Sequence, residues 1–282
     1  MIVYFNDQFL PKEDVHISPD DRGFLFADGA YEVVRSYNGK LFRLPEHMQR
    51  LENSLRGIRI AVPDMGRLQD VAAQLIRHND LTHTDAALYV QITRGVAPRK
   101  HAFPPSDTPP TVYASAKPFL ASSERAENGV RTILIPDIRW SRCDIKSVAL
   151  LPNVLASQQA QESGAYEAVF VRDGLITEGS HANFAAVFDG QLITHPKTNH
   201  ILPGITREIA LDLCRDLGLP YRESPISEAK LREADELLLL GTTTEIMPVV
   251  QVDDWQVADG QPGPLTRTLQ RAFRALVAAE QS

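Results

Sequence analysis

The sequence predicts a mixed α/β (α+β) protein of two domains, and three observations support this fold class. Short apolar or alternating runs typical of strands are interleaved irregularly with stretches of helical periodicity. Asn-Gly and Asp-Gly pairs separate several of the strand-like runs, as they do in hairpins. With 282 residues, 43% of them hydrophobic, the chain is long enough to bury two modest cores. We therefore expect two α/β domains with a cleft between them.

Two hairpins and two helices are predicted near the start of the chain. The hairpins join strands 2–5 and 8–10, and strands 31–37 and 40–43, the second pair around Asn38-Gly39. Apolar residues then return at helical spacing in two stretches. They are Met48, Leu51, Leu55 and Ile58 in the first stretch, and Leu68, Val71, Leu75 and Ile76 in the second.

Two more predicted strands, 87–93 and 112–116, enclose a loop at 94–105 that ends in two prolines. The polar, proline-containing segment 118–123 follows, and we place a linker there. Residues 1–117 would then form a small N-terminal α/β domain, and residues 124–282 a larger C-terminal α/β domain.

The second half begins with a predicted strand at 130–135 and a helix at 153–163 that Gly164 ends. Two hairpins follow, and Asp-Gly pairs form their turns. Their strands are 167–172 with 175–177 around Asp173-Gly174, and 183–188 with 192–194 around Asp189-Gly190. A helix then opens at Gly204, and an apolar strand at 237–240 ends at Gly241.

The composition favours a small-molecule substrate. A formal net charge of -7 and a pI near 5.6 argue against partners that are nucleic acids or anionic membranes, since both require an excess of Lys and Arg. The chain start lacks a secretory pattern, and no stretch approaches the ~20 apolar residues of a membrane span. Cys143 and Cys214 are too few for a disulfide framework and lack the spacing of a zinc site. We expect a reduced, cytoplasmic protein without a structural metal.

Three segments together suit a phosphate group. Gly204-Ile205-Thr206 at a helix start offers backbone amides, the positive end of a helix dipole and a hydroxyl. Thr242 adds a hydroxyl at a strand end, and Arg50 would supply a charge. Each segment alone also fits an ordinary turn or cap. The chain has no Walker-type loop, so a nucleoside triphosphate is not the expected ligand.

Lys146 and Glu178 are the candidate reactive groups. Lys146 follows Ile145 and precedes the apolar stretch 148–151, and an amine in apolar surroundings is more easily neutral and able to attack an aldehyde. Glu178 ends a hairpin strand, where its carboxylate is able to hydrogen-bond a pyridine nitrogen. A lysine, an acidic partner for a ring nitrogen and a phosphate cup are the parts that pyridoxal 5'-phosphate (PLP) requires.

A third group of residues suits a substrate carboxylate. Arg99 and His101 lie two apart in a loop, so an extended backbone presents both on one side. Tyr31 would donate a third hydrogen bond. An exposed basic loop and a core tyrosine are the alternative interpretation of the same residues.

These motifs resemble the fold type IV PLP-dependent enzymes and, within them, the bacterial D-amino-acid aminotransferases. The resemblance covers nearly the whole chain. It rests on Asp21-Arg22-Gly23, Asp28-Gly29-Ala30-Tyr31-Glu32-Val33, Thr93-Arg94-Gly95, Pro98-Arg99-Lys100-His101, Asp137-Ile138-Arg139-Trp140, Asp144-Ile145-Lys146-Ser147, Thr177-Glu178-Gly179-Ser180, Asn183, Gly204-Ile205-Thr206-Arg207 and Thr242-Thr243-Thr244-Glu245-Ile246.

The resemblance implies a role for each candidate residue. Lys146 would form the Schiff base with PLP and Glu178 would contact the pyridine nitrogen. The phosphate contacts would be Arg50, Ile205, Thr206 and Thr242. The active site would lie in the interdomain cleft of a homodimer, with Arg99 and His101 reaching from the partner subunit to the substrate carboxylate beside Tyr31. Two positions depart from the family pattern, since Ala149 stands where relatives often carry Asn and Gly241 where they often carry Ser.

The expected reaction is transamination between a D-amino acid and a 2-oxo acid, with D-alanine and 2-oxoglutarate as the leading pair. Lys146 would shuttle the proton of the substrate α carbon. A branched-chain L-amino-acid aminotransferase and an aminodeoxychorismate lyase are alternatives within the same fold. A non-catalytic binding protein for a phosphorylated metabolite is an alternative of another class.

Overall fold

The computed structural model describes Met1–Gln281, and these residues divide into two compact units. The first unit comprises Met1–Leu120 and Ile145–Ala149, together with Gln281. The second comprises Ala121–Asp144 and Leu150–Glu280. Each unit contains both helices and a sheet, in agreement with the mixed α and β prediction. Within the described residues, no helix is both long and apolar enough to cross a membrane.

The first unit is built on an antiparallel six-stranded sheet. Its strands follow the order β2-β1-β6-β5-β3-β4. They are β1 (Ile2–Phe5), β2 (Gln8–Pro11), β3 (Gly29–Tyr37), β4 (Lys40–Leu41), β5 (Ala86–Thr93) and β6 (Thr111–Pro118). Three helices belong to this unit: α1 (Arg22–Phe26), α2 (Leu44–Gly57) and α3 (Met65–His78).

The two faces of this sheet differ in polarity. One face packs on the apolar stripes of α2 and α3 and forms the core of the unit. Side chains alternate between faces along a strand, so the neighbours of these core residues point the other way. Tyr31, Gln91 and Tyr113 lie opposite one another on β3, β5 and β6 and share this second face. A polar surface therefore lies on the side of the sheet away from the helices.

The segment that contains Lys146 is bound to the first unit through its backbone. Tyr31 donates its amide to the Lys146 carbonyl at 3.0 Å, and Val148 donates to the Gly29 carbonyl at 3.0 Å. The Lys146 amide in turn donates to Ser54 Oγ on α2 at 3.1 Å. This placement differs from the division expected from the sequence, which put Lys146 in the C-terminal domain. The difference arises because the segment pairs with the start of β3, more than a hundred residues earlier in the chain.

The second unit contains a ten-stranded sheet in the order β12-β11-β10-β14-β15-β7-β8-β9-β13, with β16 paired to β15. An additional pairing of β9 with β10 closes six of these strands into a ring. The strands are β7 (Val130–Pro136), β8 (Glu167–Arg172), β9 (Leu175–Gly179), β10 (Asn183–Phe188), β11 (Gln191–Thr194), β12 (Tyr221–Glu223), β13 (Ile226–Ser227), β14 (Glu236–Gly241), β15 (Glu245–Val252) and β16 (Trp255–Gln256). The helices are α4 (Ser123–Asn128), α5 (Leu151–Glu162), α6 (Ile205–Asp216) and α7 (Pro264–Gln281), whose last residue groups with the first unit.

Two apolar clusters stabilise the second unit. The larger one combines side chains from the strands of the ring, with Phe184, Leu237 and Val249 among its buried members. In the smaller one, Ala156 and Ala160 of α5 pack against strand residues that include Phe170. Because the small alanine side chains let α5 lie close to β7 and β8, the outer side of these strands is covered.

The predicted hairpins are present, and their turns have the expected backbone. Asn38-Gly39, Asp173-Gly174 and Asp189-Gly190 all have positive φ at both residues. Two-residue turns of this kind match the right-handed twist of paired strands, and Asn, Asp and Gly are the residues that tolerate such φ values. The hairpin at 173–174 matters for the site because its second strand, β9, ends with Glu178 and Gly179.

Candidate active site

The Lys146 side chain is half-buried and lies against Tyr31. Its Nζ is 3.4 Å from the Tyr31 hydroxyl and 4.4 Å from the centre of the Tyr31 ring. Ile145 and Ser147 on either side are buried, so the backbone is fixed while the amine remains accessible. The contact with Tyr31 is long for a hydrogen bond and therefore weak. An amine held in this way is oriented yet able to change partners.

Tyr31 belongs to a small array of polar side chains on the open face of the first sheet. Its ring centre is 5.8 Å from that of Tyr89, and Tyr89 donates its hydroxyl to Gln91 Oε1 at 2.6 Å. Burial, with smaller contributions from the neighbouring phenols Tyr31 and Tyr113, raises the pKa of Tyr89 to about 12. Tyr89 is therefore a neutral hydrogen-bonding group near neutral pH. The strand alternation at 87–93 was the available signal for them, although the sequence analysis assigned roles to none but Tyr31.

Arg50 is buried and makes a two-pronged ion pair with Glu32. Its Nε and Nη2 donate to the two carboxylate oxygens of Glu32 at 2.8 and 2.6 Å. His47, one turn earlier on α2, places Nδ1 3.1 Å from Glu32 Oε1. Burial alone would raise the pKa of Glu32, but the charges and hydrogen bonds of Arg50 and His47 outweigh it and hold the pKa far below its ordinary value. Glu32 thus fixes the direction of the guanidinium that the sequence assigns to a phosphate.

Arg99 and His101 are exposed and share a contact with Phe26. The His101 ring centre lies 5.4 Å from the Phe26 ring, and the Arg99 guanidinium carbon lies 5.2 Å from it. Neither of these contacts includes Tyr31, so the structure brings Lys146 and Tyr31 together and places Arg99 and His101 in a separate group. Phe26 ends the short helix α1, which the sequence analysis did not predict.

Glu178 is buried in the second unit and accepts several hydrogen bonds. Arg139 Nη1 donates to Glu178 Oε1 at 2.6 Å. Asn183 Nδ2 and the Leu202 amide donate to Oε2 at 2.9 and 3.0 Å. These three donors satisfy both carboxylate oxygens and so compensate for the burial of Glu178.

Arg139 is held in turn by a second carboxylate. Its Nε and Nη2 donate to the two oxygens of Asp137, each at 3.0 Å. Burial would raise the pKa of Asp137, but the hydrogen bonds and charge of Arg139 lower it below the usual range. The guanidinium carbon also lies 4.2 Å from the centre of the Phe170 ring. Arg139 belongs to a motif that carries the family resemblance, but the sequence alone predicts no role for it.

Asn183 connects Glu178 with the start of α6. Besides its bond to Glu178, its side-chain amide donates to the Leu202 carbonyl at 2.9 Å. A Cβ built on Gly204 would meet Asn183 Oδ1 at 1.8 Å, so only glycine allows this approach. Glu178 and Asn183 are also the residues at which β9 and β10 pair. The ring closure therefore places a carboxylate and a helix start next to each other.

The start of α6 and the end of β14 form the candidate phosphate cup. No side chain caps α6, so its first amides are open to a ligand. Ile205 and Thr206 are the first residues of α6, and Thr206 is buried. The sheet register sets Leu240 opposite Asn183, which brings the loop that contains Thr242 toward the same end of the strands.

An unexpected threonine marks the same loop. Thr244 is buried, and its Oγ1 has no hydrogen-bond partner among residues 1–281. Buried hydroxyls are normally paired, so such a group is a common sign of a ligand or water. Open helix amides, a glycine against Asn183 and an unpaired hydroxyl fit a phosphate group. Thr244 stood in a quoted motif, but its burial could not be inferred from the sequence.

Comparisons with known proteins agree with this geometry. The chain matches the amino-transferase class IV family over residues 29–252. It is 41% identical to D-alanine aminotransferase of Bacillus licheniformis, over 99% of this chain and 98% of that protein. It is 39% identical to D-alanine aminotransferase of Staphylococcus haemolyticus, over 99% of each.

Two solved structures with the same fold are branched-chain aminotransferases. The chain is similar to the branched-chain amino acid aminotransferase of Escherichia coli, with a TM-score of 0.91 and 30% identity over 98% of this chain and 94% of that one. It is also similar to the branched-chain amino acid aminotransferase of Thermobaculum terrenum in its PLP form, with a TM-score of 0.85 and 27% identity over 98% and 93%. The chain belongs to amino-transferase class IV. The predicted family, enzyme class and fold type are therefore confirmed.

Proposed function

We propose that this enzyme transfers the amino group of a D-amino acid, with D-alanine as the leading donor, to a 2-oxo acid such as 2-oxoglutarate. The observation that carries this proposal is the likeness to two D-alanine aminotransferases, at 39–41% identity over almost the whole of each chain. The solved branched-chain enzymes are less similar in sequence, at 27–30% identity. The branched-chain L-aminotransferase is therefore the second candidate.

The cofactor is PLP, which the Thermobaculum terrenum relative carries in its solved form. When bound, PLP supplies an electron-withdrawing ring that makes the α proton of an attached amino acid acidic. The α6 start, with Ile205 and Thr206, and the loop with Thr242 would hold its phosphate. Arg50 would add a positive charge, and its two hydrogen bonds to Glu32 fix the orientation of its guanidinium group.

Lys146 is assigned two tasks. Its amine is the nucleophile that holds the cofactor between reactions, and it is the base that removes and returns the proton of the substrate α carbon. Both tasks need an amine that is oriented but not locked. The long contact of Nζ with Tyr31 and the fixed backbone of Lys146 support this assignment.

Glu178 is assigned to the ring nitrogen of the cofactor. A carboxylate there favours the protonated nitrogen, which strengthens the pull of the ring on electrons. The donors from Arg139, Asn183 and Leu202 hold both carboxylate oxygens of Glu178 in place. The position of Glu178 is therefore fixed before any ligand binds.

Arg99, His101 and Tyr31 are assigned to the substrate carboxylate. A guanidinium offers two parallel N–H groups that match a carboxylate, and the exposed side chain of Arg99 is free of an acidic partner in its described contacts.

The experiment combines cofactor trapping with a comparison of substrates. Protein saturated with PLP is treated with borohydride and mapped by mass spectrometry; a permanent adduct is expected on Lys146 and none on the Lys146→Ala variant. D-alanine, L-leucine and aminodeoxychorismate are then compared as substrates. Faster turnover of L-leucine, or lyase activity, would replace the D-amino-acid assignment, and PLP that is released without an adduct would support a simple binding protein.

We further propose that the enzyme is a cytoplasmic homodimer. Leu151, Val154 and Leu155 are all exposed on α5 and lie on one helical stripe, as expected for a surface that another chain covers. Cys143 and Cys214 are buried free thiols, as expected in a reducing compartment where disulfides are rare. Light scattering at several concentrations measures the mass, and a monomer at all of them would contradict the dimer.

A further inference from the structure

Arg22 is a buried arginine whose contacts converge on the loop that carries Arg99 and His101. Its Nη1 donates to the Lys100 carbonyl at 2.6 Å and to the Ala102 carbonyl at 3.4 Å, and Nη2 reaches the His101 carbonyl at 3.5 Å. One guanidinium therefore contacts three successive carbonyl groups. Only 3% of Arg22 is exposed, so these contacts are shielded from solvent.

Asp28 anchors this guanidinium to the strand that carries Tyr31. Arg22 Nε donates to Asp28 Oδ2 at 2.8 Å, and Asp28 comes directly before β3. Arg94 donates to both oxygens of the same carboxylate, at 2.8 and 2.9 Å. Burial would raise the pKa of Asp28, but the hydrogen bonds from Arg94 and Arg22 lower it. The anchor is thus a charged carboxylate with two cationic partners.

The far side of the loop is fixed by Arg94. Its Nη1 and Nη2 donate to the carbonyls of Arg59 and Ile58, each at 2.7 Å. The Arg94 guanidinium carbon is 3.7 Å from the centre of the Phe103 ring. The loop at 100–103 is therefore held from inside the unit by two arginines: Arg22 contacts its carbonyl groups and Arg94 contacts the Phe103 ring.

Arg22 also supports the side chains of the loop. Its guanidinium carbon lies 4.8 Å from the Phe26 ring, and that ring is the contact shared by Arg99 and His101. Arg99 and His101 have exposed side chains, so their backbone conformation must be fixed by buried groups beneath the loop. A buried ion pair is weak evidence for a role in stability, because an apolar residue of similar volume often serves as well. The contacts of Arg22 instead indicate a role in geometry.

We propose that Arg22, anchored by Asp28, is a positioning residue that sets the backbone of Lys100–Ala102 so that Arg99 and His101 can grip a substrate carboxylate. This inference rests on the carboxylate-binding role assigned to Arg99 and His101 under the proposed function. A misplacement of about 1 Å in a binding group is enough to change rates by up to ~100-fold. Loss of Arg22 acts on carboxylate binding and leaves the chemistry at Lys146 in place.

The test uses Arg22→Met in the PLP-loaded enzyme, with two readouts. The Michaelis constant for D-alanine rises about tenfold while kcat changes by less than about threefold. The dissociation constant of propionate, which has the carboxylate but no amino group, rises by about the same factor in calorimetry. In an Arg99→Met background, Arg22→Met adds less than about twofold to either constant, because the two residues act through one contact.

Arg35→Met is the matched control. Arg35 is buried in the same unit, where it pairs with Asp85 at 3.0 Å and lies over the rings of Tyr37 and Phe119. Its replacement lowers the melting temperature but leaves both constants within about twofold of the parent. The proposal is overturned when Arg22→Met weakens D-alanine and propionate no more than Arg35→Met does. The proposal is also overturned when Arg22→Met weakens binding of D-alanine and propionate by the same factor in the parent enzyme and in the Arg99→Met background.

Arg22→Lys covers the case in which Arg22→Met fails to fold. Lysine keeps the charge beside Asp28, but a single ammonium group cannot span three carbonyls. The same rise in both constants is expected, and unchanged constants refute the positioning role. Arg99→Met alone separates this result from a failure of the proposed function. An unchanged Michaelis constant for D-alanine in Arg99→Met would show that Arg99 does not bind the substrate carboxylate, and the inference about Arg22 would then fail as well.

Discussion

Lys146 and Glu178 carry the two halves of the proposed chemistry, and they are held in opposite ways. The Lys146 backbone is bonded to β3 and α2, while its amine has a long contact of 3.4 Å with Tyr31. The Glu178 carboxylate itself accepts from Arg139, Asn183 and Leu202, at 2.6 to 3.0 Å. The difference matches the tasks, since a group that moves protons must exchange partners and a group that fixes a charge must not.

The same contrast separates two of the buried glutamates, Glu32 and Glu178, from the lysine. Glu32 in the first unit, like Glu178 in the second, is paired with an arginine through short hydrogen bonds. Each unit thus contains such a rigid charged pair, Glu32 with Arg50 in the first and Glu178 with Arg139 in the second. Four measurements would break or sharpen this division between fixed and mobile groups.

The largest effect is expected from Lys146→Ala. Activity with D-alanine falls by about ten thousandfold or more, because the nucleophile and the base are lost together. The backbone bonds of residue 146 remain, so the melting temperature stays within a few degrees of the parent. Stopped-flow assays and a thermal melt give the two values. Lys146→Arg is the charge-matched control and is also inactive; substantial turnover by either variant would remove Lys146 from the mechanism.

Arg139→Met tests the rigid pair in the second unit. The free energy of unfolding drops by about 3–5 kcal/mol, since two buried carboxylates, Glu178 and Asp137, lose their shared partner. Urea titration of the cofactor-free protein measures it. Arg172→Met is the control, because the ion pair of Arg172 is with Asp137, at 3.1 Å, its other hydrogen bonds go to backbone carbonyls, and its side chain is more exposed. Equal losses in the two variants would mean that Asn183 and Leu202 suffice to hold Glu178.

Acid should destabilise the rigid cluster of the first unit in two steps. Burial, opposed by Glu32, lowers the pKa of His47, so the unfolded chain takes up a proton first as the pH falls below about 6.5. The pKa of Glu32 is also lowered, and its contribution is fully present above about pH 4.5 and lost as the pH falls further.

Unfolding free energy is therefore flat near pH 8 and declines in both windows, with a slope of at most about 1.4 kcal/mol per pH unit for each group. Urea titrations from pH 8 to pH 4 measure the profile. His47→Gln removes the first decline if His47 causes it. An unchanged slope between pH 6.5 and 5 in this variant would assign the decline to other groups, such as His195, whose pKa is lowered by burial.

Tyr31→Phe should have the smallest effect. It removes the hydroxyl but keeps the ring that lies against Lys146 and Tyr89. Turnover of D-alanine falls about fivefold, as expected for the loss of a weak hydrogen bond. Tyr89→Phe is the control, with less change expected. A loss beyond about a hundredfold would place the Tyr31 hydroxyl in the proton transfer itself.

The parts of the fold that could be predicted are those encoded by neighbouring residues. Asn-Gly and Asp-Gly pairs located the hairpins, helical spacing located α2 and α3, and glycines at helix ends located α5 and α6 within a few residues. β15 was missed because Pro248 lies within it, which argues against a strand. The helix α7 was not predicted, although its buried Leu265, Leu269, Phe273 and Val277 recur every fourth residue. This spacing is a helical signal that neighbouring residues encode.

The site divides in the same way. Lys146 and Glu178 could be named from local motifs, and their roles stay predictions until tested. Their supports could not be named, because the partners are far apart in sequence: Arg139 and Glu178 are separated by 39 residues, and Arg22 and Lys100 by 78. Such pairs form only when the sheets have formed. Burial of Thr244 and the approach of Gly204 to Asn183 are likewise results of the tertiary structure.

Glu178 combines two roles: it is the proposed partner of the cofactor ring nitrogen, and its pairing with Asn183 joins two strands. Glu178 and Asn183 are the residues at which β9 pairs with β10, and this pairing closes the strand ring of the second unit. Any attempt to retune the coenzyme by exchanging the acid at 178 would also loosen a structural junction. Variants with new chemistry at this position will therefore be filtered first by whether they fold, and compensating changes should be sought at Asn183 and Arg139.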